Sequence, residues 1–458
     1  MLSPALWADA APVISPSLLS AFPFVILLLC IAVLPLFHGT HHWWERNRNK
    51  LLISLALSLV TLVYYLFREL GFFHDDHRYD PGVASLLGVL HLVILREYIP
   101  FMAMLFSLYT ISGGIRWDIR MKPTPWVNAT LLLVGALLAS FIGTTGASML
   151  LIRPVLDVNK HRKYKLHTIL FFIFLVANIG GALLPLGDPP LFIGYLRGVP
   201  FLWTLVLVPH WATCVVVLLL IYFIWDTLAY RREVLPEVDL SFHADGRRRR
   251  AFEVNGRINY FWLAGVVFSL AYLVPGKAFV NTNWIVPPFL REAMMLLFTA
   301  LSWLTTPKGV RAKNQFNFIA IGEVAFLFIG IFICMMPTLE ILQARGTELR
   351  LTQPWQFFWV TGLLSSFLDN APTYAIFFEA AISLNPGSTL PTDPLLIAIS
   401  AGAVFMGANT YIGNGPNFMV KSIAEGSGIV MPSFFGYMLY SVSILIPLFI
   451  VLTFLFFR

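Results

Sequence analysis

The apolar residues of this chain fall into blocks separated by short charged loops. Blocks of about 20 apolar residues match the length of an α-helix that crosses a hydrocarbon layer of about 30 Å. Charged residues make up only 12% of the 458 residues, whereas ordinary soluble domains carry about 25%. We therefore expect an all-α polytopic membrane protein, and this composition argues against a water-soluble enzyme.

Ten apolar runs are long enough to cross the membrane once. Two further runs, 126–152 and 355–384, have a polar break containing Gly or Pro near the middle. Each is too long for one crossing and too short for two, so we expect two re-entrant hairpins of paired half-helices. The ten single runs are 18–37, 51–70, 83–112, 166–195, 201–225, 258–274, 284–304, 318–339, 395–419 and 434–457.

The basic residues predict the orientation of the chain. Loops rich in Lys and Arg fall on the cytoplasmic side if both termini lie outside and both hairpins return to the side they entered from. Residues 1–17 lack the basic start of a cleavable signal, so we expect the first apolar run to remain as a span. We expect a multi-pass protein of the plasma or inner membrane. The run Arg247–Arg250 is then a cytoplasmic loop between two membrane regions, and we expect no nucleic-acid partner.

A repeat with a constant shift of 226 positions connects the two halves of the chain. Its matched positions are Gly, Pro, Ser and acidic residues rather than the common Leu and Val. Each half would contain about five crossings and one hairpin, and an odd number of crossings inverts the second half. The predicted regions are a first repeat at 1–225, a basic linker at 226–257 and an inverted second repeat at 258–458. The matches include Ser140 with Ser366, Gly181 with Gly407, Gly187 with Gly413, Pro190 with Pro416, and Glu97 with Glu323.

Polar residues gather at the hairpin tips and at breaks within the runs 166–195 and 395–419. Asp188 has Asn414 as its repeat mate, and Asp369 has Gly143. An acid at membrane depth costs about 2.5 to 3.5 kcal/mol, so it needs a partner, water or a cation. We therefore expect Na⁺ or a proton at Asp188 and Asp369. The oxygen-rich shell around them is predicted to contain Thr144, Thr145, Asn178, Asn370, Thr373, Asn409, Thr410 and Asn414.

Simpler roles for these residues remain open. Asp188 and Asp369 could cap the broken helices, and single Asn and Thr residues often form hydrogen bonds between packed helices. Glu97 and Glu323 are candidates either for a proton relay or for structural ion pairs. The three cysteines lie in apolar runs and are expected to be core residues rather than metal ligands or a disulfide.

Three segments carry a resemblance to a known group of proteins. They are NIGGALLPLGDPP at 178–190, SFLDNAP at 366–372 and GANTYIGNGPN at 407–417. With these motifs the chain resembles the ion transporter superfamily, which includes D-type sodium/proton antiporters, arsenite permeases, citrate and dicarboxylate transporters and the melanosomal P protein. The resemblance implies a secondary carrier, commonly a homodimer, whose site is formed by hairpin tips and broken helices. The first tip departs from the antiporter pattern, since Gly143, Thr144 and Thr145 stand where an Asp-Asn pair is common.

The leading prediction is a sodium/proton antiporter that works by alternating access. One buried carboxylate cluster that holds either Na⁺ or H⁺, but not both, would couple the two flows. The first alternative is a cation-coupled transporter of citrate, dicarboxylates or other anions, whose Asn and Thr tips bind the substrate. A channel is a third reading. No catalytic pattern emerges, so we expect no enzyme activity and no cofactor beyond Na⁺ and H⁺.

Overall fold

A computed structural model describes residues 16–35, 37–44, 46–74, 77–233, 251–280, 282–385 and 388–458. The described part is predominantly helical, and the basic run Arg247–Arg250 lies outside it. The α-helices are α1 (Phe22–Val33), α2 (His38–Trp44), α3 (Asn47–Phe67), α4 (Val83–Leu90), α5 (Ile99–Ser112), α6 (Pro125–Ile142), α7 (Thr144–Val158), α8 (Leu166–Leu175), α9 (Pro189–Leu196), α10 (Val208–Tyr230), α11 (Ile258–Tyr272), α12 (Leu290–Thr305), α13 (Val310–Lys313), α14 (Ile319–Arg345), α15 (Pro354–Phe367), α16 (Asn370–Ile382), α17 (Asp393–Met406), α18 (Gly415–Gly426) and α19 (Phe434–Phe456).

Among the described residues, seven continuous helical stretches are long and apolar enough to cross a membrane. Three shorter apolar stretches, at Leu18–Val33, Ile258–Tyr272 and Asp393–Asn409, account for further predicted crossings. The predicted run 284–304 differs, because its helix α12 starts only at Leu290 and carries the adjacent ion pair Arg291–Glu292 near that start. The seven are Asn47–Phe67, Val83–Ser112, Pro125–Ile142, Leu166–Leu183, Trp203–Tyr230, Ile319–Leu349 and Phe434–Phe456.

The two predicted hairpin segments each form a pair of packed helices, although the first of these helices, α6, is by itself long enough to cross a membrane. Helices α6 and α7 meet at Gly143, whose φ of 78° is a backbone conformation that glycine adopts without a Cβ penalty. Helices α15 and α16 are separated by the two residues Leu368 and Asp369. The partners in each pair pack against one another. Their return to the side of entry stays a prediction.

Two helices are broken at the predicted places. Helix α8 ends at Leu175 and is followed by a 3₁₀ turn at Ile179–Leu183 before α9, while α17 is followed by a 3₁₀ turn at Gly407–Asn409 before α18. In both breaks two glycines touch. A Cβ on Gly187 would clash with the carbonyl oxygen of Gly181, and a Cβ on Gly413 would lie 2.6 Å from that of Gly407.

The spacing of the elements follows the shift of 226 positions. Helices α10 and α19 are 226 positions apart at both ends, and α9 and α18 are so at their first residues. The two long helices run antiparallel, because the ring of His210 near the start of α10 contacts that of Phe456 at the end of α19. Their ring centroids are 4.3 Å apart. Near the opposite ends Trp225 lies 6.2 Å from Tyr440.

Two short antiparallel strand pairs depart from the all-α prediction. Strand β1 (Phe72–His74) pairs with β2 (His77–Tyr79), and β3 (Arg116–Ile119) pairs with β4 (Phe252–Asn255). In the second pair Arg116 lies opposite Asn255. Strands of three or four residues in connecting segments carry too little periodic signal to stand out beside apolar helical runs.

Candidate functional site

Asp188 lies at the centre of the polar residues predicted from the helix breaks. It occupies the position before α9 and is only 1% exposed. Its Oδ1 accepts hydrogen bonds from the hydroxyl of Thr144 and the amide of Asn414, both at 3.0 Å. Its Oδ2 accepts a bond of 2.5 Å from the amide of Asn370. The carboxylate thus joins both half-helix pairs and both broken helices.

The breaks themselves make this convergence possible. Thr144 is the first residue of α7 and Asn370 the first of α16, so each side chain lies at a helix start beside a chain turn. The backbone amide of Thr144 also donates to the carbonyl oxygen of Gly187 at 2.8 Å, which holds the first tip against the first break. Asp188 does not cap its own helix. Its carboxylate is free for residues of other elements.

A chain of side-chain amides continues from Asp188 toward the second break. Asn414 also donates to Oδ1 of Asn178 at 3.3 Å, and Asn178 donates to Oδ1 of Asn417 at 2.7 Å. Asn417 then donates to the carbonyl oxygens of Gly407 and Thr410 at 2.8 and 2.9 Å. Asn417 was missing from the predicted shell although it lies within the motif at 407–417. Its repeat mate, Leu191, is apolar, so the repeat gave no indication of a polar role for Asn417.

Asp369 is placed differently from Asp188. It is half-buried, and its Oδ1 accepts the backbone amide of Ala371 at 3.1 Å, so the side chain caps α16. No hydrogen bond joins the two acids in the described part of the chain. Thr373 donates to the backbone oxygen of Asp369 at 2.9 Å, which stabilises the same helix start.

The remaining predicted residues split between the second break and the first tip. Asn409 donates to the hydroxyl of Ser366 at 2.9 Å, and the hydroxyl of Thr410 donates to the carbonyl oxygen of Ser366. Both therefore hold the broken helix against α15. Thr145 is half-buried, and its hydroxyl has no hydrogen bond to any residue that the structure describes.

Two serines form equivalent hydrogen bonds in the two halves, and neither serine was among the predicted site residues. Ser140 donates to the carbonyl oxygen of Gly180 at 2.5 Å, and Ser366 donates to that of Met406 at 3.0 Å. Both pairs are separated by 40 positions and lie 226 positions apart. Each hydrogen bond holds the first helix of a pair against the backbone of the neighbouring break. The signal was present, because Ser140 and Ser366 are one of the matches of the repeat.

The charge of Asp188 has no cationic partner among the described residues. All three of its hydrogen-bond donors are neutral side chains. The same part of the chain contains no group of three or more His, Cys, Asp or Glu residues that could hold a transition metal. Two buried side-chain oxygens, Oδ1 of Asn370 and Oδ1 of Asn409, have no hydrogen-bond partner. The arrangement offers a negative charge and uncommitted oxygens, which suit a hard cation or a proton.

Both candidate relay acids lie in ion pairs. Oε1 of Glu97 lies 3.5 Å from Arg197, which also contacts Glu379 at 2.5 Å. Glu323 contacts Lys50 at 2.6 Å, and its side chain is 42% exposed. These contacts match the structural alternative in geometry. A role for either acid in proton transfer stays a prediction.

A second polar cluster lies near the start of α6 and near the ends of α7 and α10, and none of its residues was among the predicted site residues. Arg162 and Asp226 are fully buried and 2.8 Å apart. The same Asp226 oxygen lies 2.8 Å from Nε2 of His167, and the other accepts the amide of Asn128 at 3.2 Å. Arg162 lies in one of the basic loops that are predicted to be cytoplasmic. Charge counts carry no information on burial, so only the structure identifies this pair.

The long apolar helices are those of a multi-pass membrane protein. Comparison with known families agrees: the chain belongs to the family described as "Putative citrate transport", whose model matches residues 14–457. This match confirms the resemblance to citrate transporters and their superfamily. It identifies a transport protein rather than an enzyme.

Individual relatives match over shorter regions. The P protein of Homo sapiens is 38% identical over 72 residues, which are 15% of this chain and 9% of that protein. The P protein of Sus scrofa is 36% identical over 72 residues, 15% of this chain and 8% of that protein. The "Probable 4-amino-4-deoxy-L-arabinose-phosphoundecaprenol flippase subunit ArnE" of Hamiltonella defensa is 27% identical over 115 residues, 25% of this chain and 88% of that protein. The chain thus spans less than a tenth of the P proteins that it matches.

Proposed function

We propose that the protein is a secondary transporter of citrate or a related carboxylate, driven by a cation that binds at Asp188. Membership of the citrate transport family supports the substrate class. The observation that carries the cation coupling is the buried carboxylate of Asp188, which meets only neutral donors among the described residues. A carboxylate buried without a positive partner is costly until a cation or proton neutralises it.

Helix starts around Asp188 provide a place for the substrate. The first residues of α7 and α16 contact Asp188 directly, and α9 and α18 begin immediately after Asp188 and Asn414. Helix amino ends carry partial positive charge, and four of them face this junction. A carboxylate substrate would be attracted by these ends and repelled by Asp188. Neutralisation of Asp188 by a cation therefore promotes substrate binding, which is the coupling that a symporter needs.

The donors around Asp188 can also become ligands. Rotation of a carboxamide by half a turn exchanges its NH₂ group for its oxygen. Asn370 and Asn414 can thus donate to an empty carboxylate or present oxygens to a cation beside it. The oxygen of Thr144 is available in both states. These three residues make the site adaptable to Na⁺ without a change of backbone.

The architecture we propose is an inverted repeat with two re-entrant hairpins that alternate access to one site. The antiparallel packing of α10 and α19, which occupy equivalent positions, supports inversion. The basic residues favour both termini outside a plasma or inner membrane. The resemblance to the superfamily supports a homodimer.

A sodium/proton antiporter is the second candidate. It is favoured by the same Asp188, because one carboxylate that binds Na⁺ or H⁺ in turn can exchange them without an organic substrate. The two candidates differ in one requirement. The carboxylate transporter moves its coupling cation only together with an organic anion, whereas the antiporter exchanges Na⁺ for H⁺ without one.

The decisive experiment uses purified protein in liposomes with a trapped pH dye and labelled citrate or succinate. We expect uptake of one labelled acid that requires Na⁺ or an inward proton gradient and is absent from protein-free vesicles. Na⁺-driven proton movement with neither acid present would establish the antiporter instead. Absence of both activities over a panel of di- and tricarboxylates would reject both candidates.

The variant Asp188→Asn tests the site itself. It preserves the shape of the side chain and removes its charge, so uptake should lose its cation dependence. Asp393→Asn is the matched control, since Asp393 is an exposed acid at the start of α17 that contacts Trp203. Unchanged cation dependence in Asp188→Asn would contradict the proposed role of Asp188.

A further inference from the structure

A cavity of about 410 Å³ lies beside the buried cluster of Arg162 and Asp226, between the starts of α8 and the ends of α10. One part of its wall is cationic and comes from Lys163, Lys165 and Arg232. The other part is apolar and aromatic, formed mainly by Leu166, Leu170, Trp225, Leu228 and Tyr440. No Asp or Glu belongs to the wall among the described residues.

The three cations mark the end of two apolar helical stretches. Lys165 immediately precedes the stretch Leu166–Leu183, and Arg232 follows Trp203–Tyr230 by two residues. Leu228 is 52% exposed although it is apolar and lies on the longer of these two helices. Apolar side chains exposed on such a helix contact lipid. The cavity therefore has its charged part at a membrane boundary and its apolar part on the hydrocarbon side.

Nearby acids do not neutralise these cations. The carboxylate of Glu233 accepts Nε of Arg162 at 3.1 Å and the backbone amides of Lys163 and Tyr164 at 3.2 and 2.9 Å. Asp226 is held by Arg162 and His167. Lys163 and Arg232 form no ion pair within the described residues, and Lys165 reaches only a backbone oxygen, that of Lys160, at 3.4 Å.

We propose that this cavity binds an anionic phospholipid of the surrounding bilayer. The phosphate lies against Lys163, Lys165 and Arg232, and one acyl chain lies along Leu166 and Leu228. Trp225 and Tyr440 flank the boundary between headgroup and chain, where aromatic side chains are favoured. The two parts of the wall match the two parts of such a lipid, whereas a free anion would use only the cations.

The test is native mass spectrometry of the full-length protein in detergent, with phosphatidylglycerol or phosphatidylcholine added in equal amounts. The wild type should retain phosphatidylglycerol at least about tenfold better, since each basic residue near an anionic lipid contributes about fivefold. The variant Lys163→Gln/Lys165→Gln/Arg232→Gln should lose this preference. Equal retention of the two lipids by the wild type, or no loss in the variant, would overturn the proposal.

Two controls separate the cavity from general charge and from folding. Lys122→Gln/Lys308→Gln/Lys313→Gln removes the same number of exposed cations elsewhere and should leave retention unchanged. Leu228→Trp keeps every charge but fills the apolar part, and it should reduce retention. If millimolar inorganic phosphate displaces phosphatidylglycerol completely, or if Leu228→Trp retains it fully, the cavity is an anion site and not a lipid site.

Discussion

The amide of Asn414 donates to the carboxylate of Asp188 at 3.0 Å, and the two residues are 226 positions apart. Equivalent positions of the two halves therefore touch, with an acid on one side and its neutral isostere on the other. A site built in this way has one charge where full symmetry would give two or none. Under the proposed function, the charge of Asp188 at this position would be neutralised by one cation or proton at a time.

An exchange of the two side chains tests this relationship. Asp188→Asn alone should lower cation affinity by about a hundredfold, as expected for a lost charge a few ångström from a cation. The double variant Asp188→Asn/Asn414→Asp moves the charge by one hydrogen bond and should recover at least about tenfold of that loss. Direct binding of Na⁺ to the purified variants is the measurement. If the double variant binds the cation no more tightly than Asp188→Asn, the charge is effective only at position 188 and this prediction is wrong.

Thr144 and Thr145 form a matched pair for a second prediction. Thr144→Val removes a hydroxyl that donates to Asp188 and keeps the shape of the side chain. Since hydrogen bonds to charged groups contribute about 1.5 to 3 kcal/mol, cation affinity should change by about tenfold or more. Thr145→Val removes a hydroxyl without a described partner and should have little effect. Equal effects of the two variants on Na⁺-dependent uptake would refute this assignment.

The contact between glycines in the breaks leads to a stability prediction. Gly187→Ala would drive a methyl group into the carbonyl oxygen of Gly181, so unfolding in detergent should become easier by about 1 to 3 kcal/mol or more. Gly415→Ala is the control, because nothing lies within 4 Å of its added Cβ. Thermal unfolding followed by fluorescence size exclusion measures both. A stable Gly187→Ala protein would mean that the break can relax.

The ion pairs of Glu97 and Glu323 separate the relay and structural roles. We expect Glu323→Gln to cost more than about 1 kcal/mol of stability, since it leaves the Lys50 side chain, which is 5% exposed, without its carboxylate partner. We also expect both Glu97→Gln and Glu323→Gln to keep the pH dependence of uptake, because each acid is already paired with a cation. Loss of pH dependence in a variant that still transports would instead favour the relay.

The repeat carried much of the site prediction. The shift of 226 positions placed the breaks, and the structure brings Thr144, Asn370 and Asn414 to Asp188 as neighbours. Asp369 shows where this reasoning ends. Its position at the tip was evident, but whether its carboxylate points to another element or caps its own helix depends on a side-chain rotation. Sequence spacing does not determine that rotation.

The burial of charged residues was not predicted from the sequence either. Arg162 belongs to a basic loop in the sequence, yet its guanidinium is fully enclosed with Asp226. The partners are 64 positions apart and follow no repeat or motif. Hydropathy indicates where the apolar segments end. The formation of a buried ion pair depends on how the ends of several helices pack against one another, which hydropathy does not indicate. The same limit applies to Asn128, which lies inside an apolar run and joins this cluster.

The ladder between β3 and β4 has a consequence for how the halves stay associated. It connects residues 116–119, which follow α5, to residues 252–255, which precede α11. The residues that lead into α11 are therefore attached to the first half in two ways, by the peptide chain between Glu233 and Ala251 and by the backbone ladder. A chain cleaved between those two residues would still carry a built-in alignment of its two parts, fixed residue by residue from Arg116 opposite Asn255.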